Sequence, residues 1–111
     1  MLVLIPLYDK SLQYADNRIA LYYAQYGKCS VTGYRFELPG EIHCHHKTPK
    51  SKGGTDKYSN LTLVLKDIHI LIHATENETI EQLTQNLSLN KEQLGKLNKL
   101  REKAGNLPIL I

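Results

Sequence analysis

Glu41–Ala74 reads EIHCHHKTPKSKGGTDKYSNLTLVLKDIHILIHA, and the order of elements in this stretch decides the fold. Pro39 and Gly40 bound a β-favouring segment, which predicts a strand over Glu41–His45. Lys47–Asn60 is rich in Gly, Ser and Lys and reads as a loop. Leu61–Leu65 (LTLVL) reads as a short strand. Asp67–Ala74 (DIHILIHA) reads as a helix, with Asp67 near the N-terminus, where the helix dipole favours an acid. The expected order is therefore strand, loop, strand, helix.

Four of the chain's five histidines fall between His45 and His73. His69 and His73 are four apart on the predicted helix, so both imidazoles project from one face and can share a metal. Alone, such a pair is more often a packing feature than a site. His45 and His46 end the first strand, where successive side chains diverge. One of them can face the helix pair as a third ligand while its neighbour serves a different site. Metal-assisted hydrolysis needs that division, because an unligated imidazole must take the proton of the attacking water. A free imidazole pKa of about 6.5 leaves histidine largely neutral, and so basic, at pH 7. Three imidazoles also leave coordination positions open.

Taken as a set, His45-His46-x-x-Pro49, Gly53-Gly54, Asn60-Leu61 and His69-x-x-x-His73 resemble the HNH nuclease motif on the ββα-metal fold. The resemblance implies that His45, His69 and His73 ligate one divalent metal ion. It implies His46 as the general base and Asn60 as the organiser of the loop and the base. The family generally works with magnesium or manganese, whereas a site of three imidazoles takes zinc or nickel tightly in vitro. The flanks DNRIALYYAQYGKCSVTG and LNKEQLGKLNKLREKAGNLPI are similar to the C-terminal endonuclease region of group II intron-encoded reverse transcriptases, from about Tyr14 to Leu107. That likeness implies DNA as substrate, cut to a 3′-hydroxyl and a 5′-phosphate, with intron RNA reached through a parent protein. In such proteins the 3′-hydroxyl primes reverse transcription.

Many HNH domains carry two Cys-x-x-Cys knuckles around a structural zinc. Here Thr32 stands where the partner of Cys29 would fall, and Leu65 and Ile68 occupy the second pair's places. The expected fold class is therefore α+β: a ββα-metal core with flanking N-terminal and C-terminal helices, without the usual zinc knuckles. Cys29 is expected to be a buried small hydrophobe, and Cys44 to be packing rather than a ligand. His43 shares strand parity with His45 and can approach the site; the favoured reading is a surface or supporting histidine.

Outward from this core, Asp9–Gly27 carries Ile19, Leu21, Tyr22, Tyr23 and Tyr26 at helical spacing, with Gly27 as the stop. These tyrosines are read as core packing with their hydroxyls near the surface. Lys28–His46, with Gly33, Pro39 and Gly40 punctuating β-favouring residues, is read as a hairpin whose second strand is about Glu41–His45. Short helices are expected over Glu78–Asn86 and Lys91–Ala104. The second is capped by Asn90 with Gln93 at the capping-box spacing, and is stopped by Gly105 and Pro108. One domain over residues 1–111 is expected: an N-terminal helix and hairpin strand to residue 40, the motif to residue 75, then the C-terminal helices.

Composition is that of an ordinary soluble domain, with 41% hydrophobic and 23% charged residues, which argues against disorder and membrane spanning. Met1–Leu7 is apolar but has neither a basic leader nor a cleavage site, so the cell interior is the expected location. The net charge of +3 conceals an uneven distribution. Residues 45–75 hold five lysines against two aspartates, and residues 76–90 hold three glutamates and no base. Lys47, Lys50, Lys52 and Lys57 crowd the loop beside the histidines and are candidate phosphate contacts. Two rival classes stand beside the nuclease. One is a metal-stabilised nucleic-acid-binding module without cleavage. The other is an assembly fragment that dimerises through the apolar ends MLVLIPL and LPILI.

Overall fold

A computed structural model describes residues 10–110 of the chain, so Met1–Leu7 and Ile111 lie outside the described residues. The elements run α1 (Lys10–Ala24), β1 (Ile42–His46), β2 (Leu61–Leu65), α2 (Lys66–His73), α3 (Asn77–Leu87) and α4 (Lys91–Lys103). This is a mixed α+β fold with a two-stranded antiparallel sheet, consistent with an HNH ββα core. Among the described residues no helix is long and apolar enough to cross a membrane.

β1 pairs with β2 in the register Ile42↔Leu65, Cys44↔Leu63 and His46↔Leu61. β2 is buried along Leu61–Val64, on both faces, as expected when helices cover both sides of a sheet. Cys44 and His46 face Tyr14 of α1, whereas His45 faces α2. The core joins Leu63, Val64, Ile68, Leu71, Ile72 and Leu97.

Two sequence expectations differ from this arrangement. The hairpin within Lys28–His46, with Glu41–His45 as its second strand, does not form. Lys28 and Arg35 make a single bridge, which Gly33 closes with a φ of +77°. β1 instead pairs with the far more buried β2. The segment Cys29–Phe36 still serves the core, burying Cys29, Val31 and Phe36.

The second difference concerns the apolar stripe of α1. Leu21 is buried, but Ile19, Tyr23 and Tyr26 are exposed. The docked face runs Tyr14, Asn17, Leu21 and Gln25, a helical spacing that includes two amides. Gln25 receives the Leu63 N–H at 3.0 Å and donates to the Leu63 carbonyl at 3.0 Å. It thereby completes the free edge of β2 as a strand partner would. Backbone groups that must be paired outweigh the apolar pattern here.

Other expectations hold locally. The Gln93 N–H donates to Asn90 Oδ1 at 2.8 Å while the Asn90 N–H donates to Gln93 Oε1 at 2.9 Å. As expected, Cys29 is buried, and its Sγ accepts the Leu65 N–H at 3.4 Å. Cys29, Leu65 and Ile68 all lie in or against the apolar core.

Candidate metal centre and its flanking imidazole

The alternation of β1 divides the site in two. Toward α2, the rings of His45, His69 and His73 form a triangle with centroids 5.2–5.3 Å apart. One nitrogen of each lies within 4.8 Å of the others, the arrangement of a group able to hold a metal ion. β1 supplies the buried His45, and one face of α2 supplies the other two. His45 Nε2 is buried without a hydrogen-bond partner among the described residues. Such an orphaned atom is costly in a folded protein, and a cation removes the cost.

The electrostatics suit a cation in a second way. Burial, followed by the neighbouring rings of His69 and His73, pushes His45 down to about 3. Burial and then His73 push His69 down to about 4, and burial with Arg101 lowers His73. All three imidazoles are therefore neutral at pH 7 with lone pairs available, the state a metal requires. A concavity of about 470 Å³ opens at His69 and His73 and gives access from solvent. A larger cavity of about 720 Å³, lined by Ile80, Thr84 and Pro108, contains none of the histidines. The smaller concavity, which the histidines line, is therefore the functional candidate.

His43, on the same strand face as His45, places its Nδ1 2.9 Å from His69 Nδ1. That contact leaves Nε2 of His69 as the nitrogen free for a ligand.

On the opposite face of β1 stands His46. Its Nε2 lies 2.8 Å from Oδ1 of Asp56, a buried carboxylate whose Oδ2 takes the Lys50 ammonium at 3.1 Å. The bond from His46, followed by that from Lys50, holds the Asp56 carboxyl below its ordinary value against the opposing effect of burial. Tyr14 stacks on the His46 ring at 5.5 Å with only 6° between the planes.

Asn60 is not bonded to His46 among the described contacts. Its Oδ1 accepts the Thr48 N–H, its Nδ2 donates to the carbonyls of Thr48 and Thr55, and its own carbonyl accepts the Lys47 N–H. The residue orders the loop, while Asp56 holds the imidazole. The four lysines are not equivalent either. Lys50 is engaged by Asp56, and Lys52 reaches the Ala104 carbonyl at 3.4 Å. Lys57 is exposed at the foot of the loop, and Lys47 is half-buried beside His46.

Sequence reasoning missed two residues. Asp56 sits in GGTDK and looks like an ordinary loop acid; only its nearness to paired histidines could have drawn notice. Arg101, one base in a charged helix, is buried and donates to the carbonyls of Leu71, Ala74 and Leu107. It caps the C-terminus of α2, the helix that carries His69 and His73.

Residues 29–74 match the family model of the HNH endonuclease. The matched stretch spans both strands, the loop and α2, so it contains every histidine described above. Neither a curated protein nor a solved structure matches the chain. The match suggests a metal-dependent nuclease, a class that acts on DNA and binds a divalent metal.

Proposed function

We propose that this chain is a DNA endonuclease that nicks one strand by phosphodiester hydrolysis, leaving a 3′-hydroxyl and a 5′-phosphate. The observation that carries the reading is the convergence of three neutral imidazoles around the orphaned Nε2 of His45, one residue from a separately held His46. His45, His69 and His73 fit one divalent ion, magnesium or manganese in function, with zinc or nickel able to occupy the site in vitro. Such an ion, when bound, supplies stabilisation of charge on the phosphate and the departing 3′ oxygen.

The chain's own residues supply the proton transfer. His46 takes a proton from the attacking water as the water oxygen bonds to phosphorus in line, the bond to the 3′ oxygen breaks, and the departing 3′ oxygen takes up a proton from solvent. Asn60 holds the loop that follows His46 and carries Asp56. Lys57 and Lys47 are available to DNA phosphates, while Lys50 and Lys52 are partly committed within the chain and contribute less.

The flanking likeness from about Tyr14 to Leu107 supports second-strand cleavage in group II intron mobility, within the cell interior and with intron RNA engaged by a parent protein. The exposed Leu107 and Leu110 support a homodimer, which light scattering would detect.

A plasmid-nicking assay comparing magnesium, manganese, nickel and zinc tests the function. Nicked circles are expected with magnesium or manganese, and His46→Ala should slow their formation by at least about 100-fold. Undiminished nicking by His46→Ala at matched metal would remove the catalytic assignment. Absence of nicking with every metal would favour a binding module.

A further inference from the structure

We infer that Asp56 is the positioning residue for His46, fixing it as the tautomer that carries its proton on Nε2 and presents an unprotonated Nδ1 to the attacking water. This rests on the reading of His46 as the base. The Asp56 carboxylate is acceptor-only, so a 2.8 Å contact with Nε2 requires the hydrogen to lie on that nitrogen. Nδ1 is then the basic atom. An unrestrained imidazole would exchange between tautomers and turn about its own bonds. Here Tyr14 fixes the ring plane by parallel stacking, and Asp56 fixes the direction within it.

Asp56 is itself held at several points. Its side chain is 4% exposed, Lys50 occupies the other oxygen, and Asn17 of α1 donates to its backbone carbonyl at 2.8 Å. Asn60 anchors the preceding carbonyl of Thr55. α1 and the loop therefore converge on one carboxylate that touches one imidazole. When the proton of water reaches Nδ1, the carboxylate faces the imidazolium that forms, and no proton need leave Nε2.

Lys50 makes the inference unusually testable. In Asp56→Asn the ammonium of Lys50 needs an acceptor, so the amide oxygen turns toward it. The amide NH2 group then faces His46 Nε2 and imposes the opposite tautomer, with the proton on Nδ1. The shape of the site is retained, and its direction is reversed.

The experiment uses the full chain in four forms: wild type, Asp56→Asn, His46→Ala and the double variant. 15N NMR of the metal-free wild type should show His46 protonated on Nε2; protonation on Nδ1, or an even mixture, overturns the inference without any variant. Asp56→Asn should move the proton to Nδ1, lower kcat for plasmid nicking by about 10- to 100-fold, and leave KM for DNA unchanged. In the His46→Ala background the same change should have no further effect. If His46→Ala nicks normally, the underlying assignment of the base fails. If His46→Ala is inactive but Asp56→Asn nicks at the wild-type rate, only the role of Asp56 fails. Additional slowing in the double variant also overturns it, because Asp56 would then act other than through His46.

Discussion

The Nδ1 atoms of His43 and His69 meet at 2.9 Å, joining β1 to the helix that bears the other two candidate ligands. One ring donates and the other accepts, and Nε2 of His69 is left for a cation. Partners of this kind orient an imidazole and typically account for 10- to 100-fold in metal affinity. His43→Ala is expected to weaken zinc binding by about 10-fold or more in calorimetry. The thermal midpoint of the metal-free chain should hardly change, since His43 is only half-buried. Unaltered zinc affinity would reduce His43 to a packing residue.

Arg101 secures the same helix from the other end. α2 spans only Lys66–His73, and its closing carbonyls at Leu71 and Ala74 are taken by the Arg101 guanidinium, while Asn106 takes that of Ile72. Arg101→Met would leave the Leu71 and Ala74 carbonyls without their guanidinium donor, each at a cost of about 1–3 kcal/mol where water cannot reach. Loss of about 3 kcal/mol in urea unfolding is expected. Arg101→Lys should recover little of it, because one ammonium cannot reproduce a fork that reaches Leu71, Ala74 and Leu107 together. Full stability of either variant would show that the cap is dispensable.

The neutral triad gives stability a pH dependence of definite sign. His45 and His69 are lowered to about 3 and about 4 by burial first and neighbouring rings second, while the unfolded chain protonates them near 6.5. Between these values the unfolded state binds more protons than the native state, so acid favours unfolding. Their contribution is complete above about pH 6.5 and is lost progressively as pH falls toward 4 and 3. His45, which is buried, accounts for up to about 1.4 kcal/mol per pH unit in that window. The urea midpoint of the metal-free chain should fall between pH 7 and pH 5, and His45→Phe should flatten the slope. Added zinc should raise the midpoint at pH 7 by binding the native state. A midpoint that does not move from pH 7 to pH 5 contradicts the reading.

Much of the site was legible before folding because its geometry is local. Four residues of helix bring His69 and His73 to one face, and one residue of strand sends His45 and His46 to opposite faces. The cap of α4 and the burial of Cys29 were equally readable. The long-range partners were not. Nothing local to Lys28–Phe36 says that β1 will prefer β2, and nothing in GGTDK says that Asp56 will reach His46.

By itself, then, the amino-acid sequence determined the period-driven features: the helices, the strands of the motif and their order, and the direction of each histidine from its own backbone. Only the tertiary structure decided which strand pairs with β1, which face of α1 docks, and which charges are buried. The physical reason is the same in each case. Gln25 on the edge of β2, Asp56 on His46 and Arg101 on the end of α2 all satisfy polar groups that become unpaired only once distant segments pack. Hydrophobic pattern says which segments will be buried together; the hydrogen bonds left over at their edges choose the partners.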